Sequence, residues 1–253
     1  MMADVVPQAQ VIDRQGLEIL DTYGAGLLVK QTKRGCIQEC LGCEAKTEFK
    51  ISTLEQKEND VLYTLEESTF IWRFCFPACR PFEQPITVGN QAGGPVLMSM
   101  KKPVACGLAP CQCCFIPTID FLNSGGESLG GASVPFYFCI PNIKVAGPDG
   151  TPDYHVHMPT CCGGVCVNCM AEGLCNCKIP FYIYKPDNDM PQQEVGKIIK
   201  LWRGLGTEMF TDASTFQLEF PEGADAAAKA RLLGTSIFIN FLFFERQNDN
   251  SGG

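Results

Sequence analysis

The sequence predicts a mainly β fold in which roughly twelve antiparallel strands close into a barrel around one hydrophobic C-terminal α-helix. Turn-forming residues recur at short intervals, and the runs between them alternate apolar with polar side chains, as half-buried strands do. Residues 232–244 do not alternate in this way and form the most continuously apolar stretch of the chain. A helix that is apolar on every face needs burial on every face, and a closed sheet provides it.

Candidate strands occur along the whole chain. Those with the best pattern are residues 16–20, 47–51, 61–65, 179–184 and 216–220. Both tryptophans, Trp72 and Trp202, are assigned to the core. No linker or break in composition divides the chain, so we expect a short flexible N-terminus over residues 1–15, one barrel domain over 16–245 and a polar tail over 246–253.

The C-terminal helix is predicted over residues 225–245, with Asp225 at the positive end of the helix dipole. Its apolar residues include Leu232, Leu233, Ile237, Phe238, Phe241 and Phe244. A membrane-spanning helix needs roughly 20 apolar residues. Extending this segment to that length includes Lys229 and Arg231, each of which costs roughly 2.5–3.5 kcal/mol near a bilayer centre. These arguments favour a helix buried in the fold, with a membrane span as the alternative.

The composition excludes several classes of function. The formal net charge of −8 argues against nucleic-acid partners, because neutralising phosphates requires surplus Lys and Arg. It argues equally against simple electrostatic attraction to anionic lipid. The chain contains no Gly-rich phosphate loop, paired-carboxylate motif or nucleophile elbow, so we do not expect a conventional enzyme.

The sixteen cysteines occur mostly in tight clusters. The N-terminus lacks the basic and apolar segments of a signal peptide, so we expect reduced thiols that serve metal binding, acylation or packing. Two thiols two or three residues apart are typical of half a tetrahedral zinc site. Candidates for structural Zn²⁺ are Cys36, Cys40, Cys43, Cys161, Cys162, Cys166, Cys169, Cys175 and Cys177.

Several blocks of sequence resemble the phospholipid scramblase family. They are residues 66–70 (Glu-Glu-Ser-Thr-Phe), 79–83 (Cys-Arg-Pro-Phe-Glu), the cysteine cluster 106–114, 195–202, 210–216 and 241–245. The resemblance implies a tubby-like barrel around a hydrophobic C-terminal helix. It also implies calcium-activated, ATP-independent movement of phospholipids in both directions between the leaflets of the plasma membrane. The family's proline-rich N-terminal arm has no counterpart in this chain, so partners of proline-rich motifs are not expected.

The resemblance places a calcium segment over residues 212–225. Its candidate ligands are Asp212, Ser214, Phe216, Leu218, Glu219, Glu222 and Asp225. An EF-hand loop would carry Gly at its sixth position and a bidentate Glu at its twelfth, where this chain has Gln217 and Gly223. The alternative is a β-strand followed by the N-cap of the helix, because residues 216–220 alternate as a strand does.

The resemblance also implies palmitoylation at Cys106, Cys111, Cys113 and Cys114, with structural or metal-bound thiols as the alternative. Stable anchoring takes two membrane signals, which several adjacent thiols supply. The first functional hypothesis is therefore a scramblase at the cytosolic face of the plasma membrane, held by acyl chains or by the helix, with a cytoplasmic pool. If the helix fills the barrel, lipid movement requires a homo-oligomer or release of the helix. The second hypothesis is a zinc-stabilised module that binds lipid or signalling proteins without transport.

Overall fold

The computed structural model of the protein describes residues 16–32, 46–75, 80–104, 116–137, 140–159, 179–186, 193–201 and 214–244. The predicted N-terminal segment 1–15 and the predicted tail 246–253 lie outside the described residues.

Twelve antiparallel strands form one closed barrel, as the sequence predicts. Each strand pairs with its neighbours in sequence, and β1 pairs with β12 to close the sheet. The strands are β1 (Gly26–Thr32), β2 (Glu48–Thr53), β3 (Asp60–Leu65), β4 (Phe82–Val88), β5 (Val96–Lys102), β6 (Thr118–Asn123), β7 (Ser128–Ser133), β8 (Asn142–Ala146), β9 (Pro152–His157), β10 (Ile179–Tyr184), β11 (Glu194–Leu201) and β12 (Thr215–Glu219).

The alternating pattern of the sequence gives the barrel its interior. In β10 the side chains of Ile179, Phe181 and Ile183 are buried, while the residues between them are partly exposed. Successive side chains of a strand point to opposite faces of the sheet, so β10 contributes every second residue to the core.

The structure contains three α-helices and one π-helical segment among the described residues. They are α1 (Ile19–Thr22), α2 (Phe70–Cys75), α3 (Ala226–Ile239) and the π segment (Asn240–Phe244). The prediction of a strand at residues 16–20 is wrong: Leu17 and Leu20 are both buried at the spacing of a helical turn, which a five-residue pattern does not distinguish from alternation.

Helix α3 runs inside the barrel. Its side chains from Leu232 to Ile239 are buried, as are Phe241 and Phe244 of the π segment, so all six apolar residues named in the sequence lie in the core. The helix begins at an N-cap, where the Asp225 carboxylate accepts a hydrogen bond from the Ala228 amide at 2.7 Å.

Within the part of the chain that the structure describes, residues 226–244 are the one helix long and apolar enough to cross a membrane, and 78% of that stretch is buried in the barrel. The two cationic residues of this helix, Lys229 and Arg231, lie near its N-terminal end. Arg231 contacts the Asp153 carboxylate at 2.5 Å, and Lys229 contacts Asp21 at 2.6 Å. In this structure the helix therefore takes the buried alternative, with its charges paired to the strands and to α1.

The helix fits closely against the barrel wall at Gly234. A Cβ atom at this position would lie 2.8 Å from Cδ1 and 3.0 Å from Cζ of Phe121 on β6, and closer still to Cε1. Carbon atoms in ordinary contact are about 3.5–4.0 Å apart. Only glycine therefore allows the Phe121 ring to rest on the helix backbone.

Candidate functional site

The two ends of the barrel differ in the connections that they carry. In an antiparallel barrel of this order, every second connection lies at the same end. One end, here called the loop-rich rim, is formed by the strand termini Thr32, Glu48, Leu65, Phe82, Lys102, Thr118, Ser133, Asn142, His157, Ile179, Leu201 and Thr215. All sixteen cysteines belong to five of the six stretches of sequence that leave and re-enter the barrel at this rim, and the stretch between Leu201 and Thr215 contains none.

Exposed apolar side chains concentrate at the loop-rich rim. Of the six large apolar residues that are exposed in the described part of the chain, five lie in the connections of this rim: Phe70 (56%), Ile71 (69%), Val104 (52%), Ile116 (42%) and Phe136 (67%). The sixth, Val96, lies at the opposite end. Clustered apolar exposure marks a surface that contacts a membrane or another macromolecule.

Buried cations line the inside of the same rim, where the π segment ends. The Lys200 ammonium lies 4.3 Å from the centre of the Phe244 ring, and the Arg80 guanidinium carbon lies 5.6 Å from that of Phe241. Both cationic residues are buried. A helix presents unpaired carbonyls and partial negative charge at its C-terminal end, so cations stabilise it there.

Arg80 also forms a buried ion pair with Glu66. Its Nε and Nη2 atoms donate to the two carboxylate oxygens of Glu66 at 2.8 and 3.0 Å, and the Thr47 amide donates to Oε2 at 3.3 Å. Burial of Glu66 opposes its ionisation, but the hydrogen bonds and charge of Arg80, together with hydrogen bonds from Ser68 and Thr47, outweigh that effect and hold the pKa of Glu66 below its ordinary value. Glu66 and Arg80 come from two of the sequence blocks, 66–70 and 79–83, and the ion pair joins these blocks in the structure.

A groove of about 750 Å³ opens beside the loop-rich rim, between α2 and the ends of β3, β4 and β5. We call it the rim groove, and its lining includes three lysines, three carboxylates, Trp72 and Phe82. The charged residues are Lys46, Lys101, Lys102, Glu67, Glu83 and Asp120. Trp72 is only partly buried here, which corrects its assignment to the core. Its neighbours Phe70 and Ile71 are exposed although both are apolar, so the sequence around Trp72 carries no signal of its position at the surface.

The described residues of the predicted calcium segment form a strand and a helix cap. Phe216 and Leu218 are fully buried side chains of β12, which pairs with β1 on one side and β11 on the other. Glu219 binds Lys197 at 3.1 Å, and its hydrogen bond and charge raise the pKa of that lysine. The described residues of this segment therefore take the alternative structure that the sequence allowed, a β-strand followed by the N-cap of the helix.

The remaining calcium candidates are dispersed. Ser214 is buried, Glu222 is exposed in a turn, and Asp225 is the N-cap of α3, while Asp212 lies outside the described residues. Across the described ranges, no three His, Cys, Asp or Glu side chains are grouped as metal ligands.

The thiol predictions fall on parts of the chain that the structure does not describe. The candidate acylation sites Cys106, Cys111, Cys113 and Cys114 lie there, and so do the candidate zinc ligands Cys36, Cys40, Cys43, Cys161, Cys162, Cys166, Cys169, Cys175 and Cys177. Both sets stay predictions.

Comparison with known proteins gives one consistent family. A family model described as Scramblase matches residues 5–246. Phospholipid scramblase 1 of Homo sapiens is 27% identical over 94% of this chain and 69% of its own length. Phospholipid scramblase 2 of Homo sapiens is 27% identical over 74% of this chain and 57% of its own, and phospholipid scramblase 1 of Rattus norvegicus is 29% identical over 91% and 63%. The chain thus spans about 57–69% of these relatives. No solved structure gives a significant match.

Proposed function

The chain belongs to the scramblase family, and we propose that it moves phospholipids in both directions between the leaflets of a membrane without ATP. The observation that carries this proposal is the family match over residues 5–246, supported by relatives that are named phospholipid scramblases. The activity is transport of lipid rather than the making or breaking of a covalent bond.

We place the loop-rich rim against the cytosolic leaflet of the plasma membrane. Its exposed apolar side chains, Phe70, Ile71 and Phe136 among them, would bury their surface in the headgroup and acyl boundary. The net charge of −8 supplies little attraction to anionic lipid, so apolar insertion and acyl chains must provide the binding energy.

Acylation fits this orientation. The predicted sites Cys106, Cys111, Cys113 and Cys114 belong to the connection between Val104 and Ile116, both of which are exposed at the rim. Hydroxylamine cleaves thioesters, so extraction of the cellular protein before and after treatment tests the anchor. Release into the soluble fraction after treatment supports acyl anchoring, and an unchanged distribution contradicts it.

The buried helix limits the route that lipid can take. With α3 filling the barrel, headgroups have no polar path through its interior, and a polar headgroup must be satisfied at every depth of the bilayer. The route must therefore follow the outer wall of the barrel, the interface of a homo-oligomer, or a state in which α3 has left the barrel.

Calcium activation is a proposal about the carboxylates on either side of β12. Glu219 is already paired with Lys197, which leaves Glu222 and Asp225, with Asp212, as the candidate oxygen ligands. A site built from so few carboxylates would bind Ca²⁺ weakly, at about 10⁻⁴–10⁻³ M. Substitution of Glu222 by Gln should raise the calcium concentration needed for lipid movement, and an unchanged calcium response would exclude Glu222 as a ligand.

Reconstitution tests the proposed function. The full chain is inserted into vesicles whose phospholipids carry a fluorescent headgroup label, and a membrane-impermeant reductant bleaches the outer leaflet. Lipid movement predicts that calcium makes the inner-leaflet label accessible as well. Loss of the outer-leaflet signal alone, at every calcium concentration, would contradict it.

A second candidate function is favoured by the filled barrel. A closed barrel with a buried helix suits a membrane-associated module that binds lipid or signalling proteins, with structural zinc held by its cysteines. The same vesicles separate the two functions, because this module would bind the membrane without moving lipid. Metal analysis of the purified protein tests the zinc, and a metal-free, stably folded protein would remove it.

A further inference from the structure

We propose that the rim groove binds the headgroup of a zwitterionic phospholipid. The ammonium group of the lipid would contact Trp72 and the carboxylates of the groove, and its phosphate would contact the lysines. This inference rests on the proposed function, because it names the class of lipid that the membrane-facing rim selects.

The size and position of the groove suit a headgroup. Its volume of about 750 Å³ lies within the roughly 300–1,000 Å³ of small-molecule sites. Phe70 and Ile71 precede Trp72 on α2 and are exposed, so docking of these two side chains would bring Trp72 to the level of the headgroups. Tryptophan is enriched at that level because its ring is apolar and its N–H is polar.

The charges of the groove are arranged in a row across neighbouring strands. In the backbone pairing of the sheet, Glu67 lies opposite Glu83, Glu83 opposite Lys101, and Lys101 opposite Asp120. Their side chains therefore follow one another across the outer wall of the barrel. The Lys101 ammonium lies 3.4 Å from the Glu83 carboxylate, and about half of each side chain is exposed. A ligand that enters the groove therefore meets charges of both signs within a few side chains.

The balance of these charges selects among headgroups. Three lysines and three carboxylates line the groove, and the Lys102 ammonium is already turned toward the Arg80 carbonyl at 2.9 Å. An anionic headgroup would be repelled by the carboxylates, since like charges disfavour each other at close range. A zwitterion places its phosphate at Lys46 and Lys101 and its ammonium at the acidic positions.

The aromatic wall supports the same choice. An ammonium group over the face of a tryptophan is attracted by the ring quadrupole, and this attraction is the usual means of recognising choline. Trp72 lines the groove together with the carboxylates of Glu67 and Glu83. An aromatic face beside carboxylates is the chemistry that quaternary and primary ammonium groups require.

Calorimetry with monomeric short-chain lipids tests the inference on the full chain. Dihexanoyl phosphatidylcholine should bind saturably, and dihexanoyl phosphatidylglycerol should bind at least about tenfold more weakly, since it lacks the ammonium. Trp72→Leu should weaken phosphatidylcholine binding by roughly 3–30-fold, whereas Trp72→Phe should weaken it less.

A matched pair of charge variants keeps the test valid even if Trp72 variants fold poorly. Glu83→Gln removes a carboxylate from the groove, and Glu58→Gln makes the same change in an exposed turn at the opposite end of the barrel. The first should reduce the preference for phosphatidylcholine over phosphatidylglycerol, and the second should leave it unchanged. Equal affinity for the two lipids, or equal effects of the two variants, would overturn the inference.

The outcome is separable from that of the proposed function. If the vesicle assay shows lipid movement while these titrations show no selectivity, the headgroup site is wrong and the scramblase function stands. If the selectivity is present and no lipid moves, the site stands and the chain is a lipid-binding module.

Discussion

Adding one methyl group to Gly234 tests whether α3 lies inside the barrel. The Cβ atom of Gly234→Ala would lie within 3.0 Å of three atoms of the Phe121 ring, which is fully buried on β6. The ring would have to withdraw by roughly 1 Å to restore normal contact. Close packing of the core leaves it little room to do so.

Two opposing terms set the expected magnitude. Overpacking a core costs about 1–3 kcal/mol, while replacing a helical glycine with alanine gains roughly 1 kcal/mol. We expect Gly234→Ala to lower the free energy of unfolding by up to about 2 kcal/mol. The matched control is Gly16→Ala, which adds the same methyl group in a helical turn where no heavy atom lies within 4 Å. It should leave the stability unchanged or raise it slightly.

Combining Gly234→Ala with Phe121→Leu gives the decisive measurement. The smaller leucine removes the ring atoms that clash, so the alanine should cost less in this background than in the wild type. Urea unfolding of the four proteins of this cycle should give a coupling energy of about 1–3 kcal/mol. Residues that do not touch are additive within about 0.3–0.5 kcal/mol. Additivity would refute the contact and with it the buried position of α3.

Three further predictions follow from the interior and from the rim. Glu66→Gln should lower the free energy of unfolding at neutral pH by about 3–5 kcal/mol, because Arg80 stays buried without its carboxylate partner. Folding lowers the pKa of Glu66 from its ordinary value of 4.5. The ion pair therefore stabilises the fold above pH 4.5, and this stabilisation is lost as the pH falls through the lower pKa of the folded state. The stability of the wild type should therefore fall more steeply below pH 4.5 than that of the variant. Asn240→Leu should raise stability by about 1–3 kcal/mol in thermal unfolding, because neither side-chain polar atom of this buried residue has a partner among the described residues. The double substitution of Phe70 and Ile71 by Ser should weaken binding to vesicles by roughly 10–30-fold in sedimentation assays, given about 1 kcal/mol of apolar burial for each.

Each of these has an outcome that contradicts it. Parallel pH profiles of the wild type and Glu66→Gln would mean that the pair does not govern acid stability. A destabilised Asn240→Leu would indicate that a buried water satisfies the amide. For the rim, Val96→Ser is the control, because Val96 is exposed at the opposite end. If it weakens vesicle binding as much as the rim variants do, the rim is not the membrane-binding surface.

The sequence predicted the barrel because several strands carry a local signal and turn-forming residues recur between them. In β10 the burial alternates along the whole strand, and in β12 it alternates from Phe216 to Glu219, so the pattern predicts both the strand and the face that is buried. Helix α3 was predicted for the same reason, since its apolar residues are contiguous. The prediction of a strand at residues 16–20 was wrong because a run of five residues fits the period of a helix as well as that of a strand.

The candidate site was less predictable because it is assembled from distant residues. Glu66 and Arg80 lie on either side of α2, and nothing in either sequence block indicates that one neutralises the other inside the barrel. Trp72 looks like a core residue in the sequence, and only the positions of Lys101 and Glu83 show that it lines a groove. The position of the rim depends on the order of the strands in the barrel, and no single segment of the sequence contains that information.

Photo-cross-linking from the acyl chain tests most directly the claim that the protein meets the membrane with its loop-rich rim and keeps α3 in the barrel. The full chain is bound to vesicles that contain a phospholipid with a diazirine in its acyl chain, with and without calcium, and the labelled peptides are identified by mass spectrometry. We predict labelling next to Phe70, Ile71 and Phe136. Labelling of residues 232–244 in the absence of calcium would show that the helix lies in lipid at rest and would contradict the account.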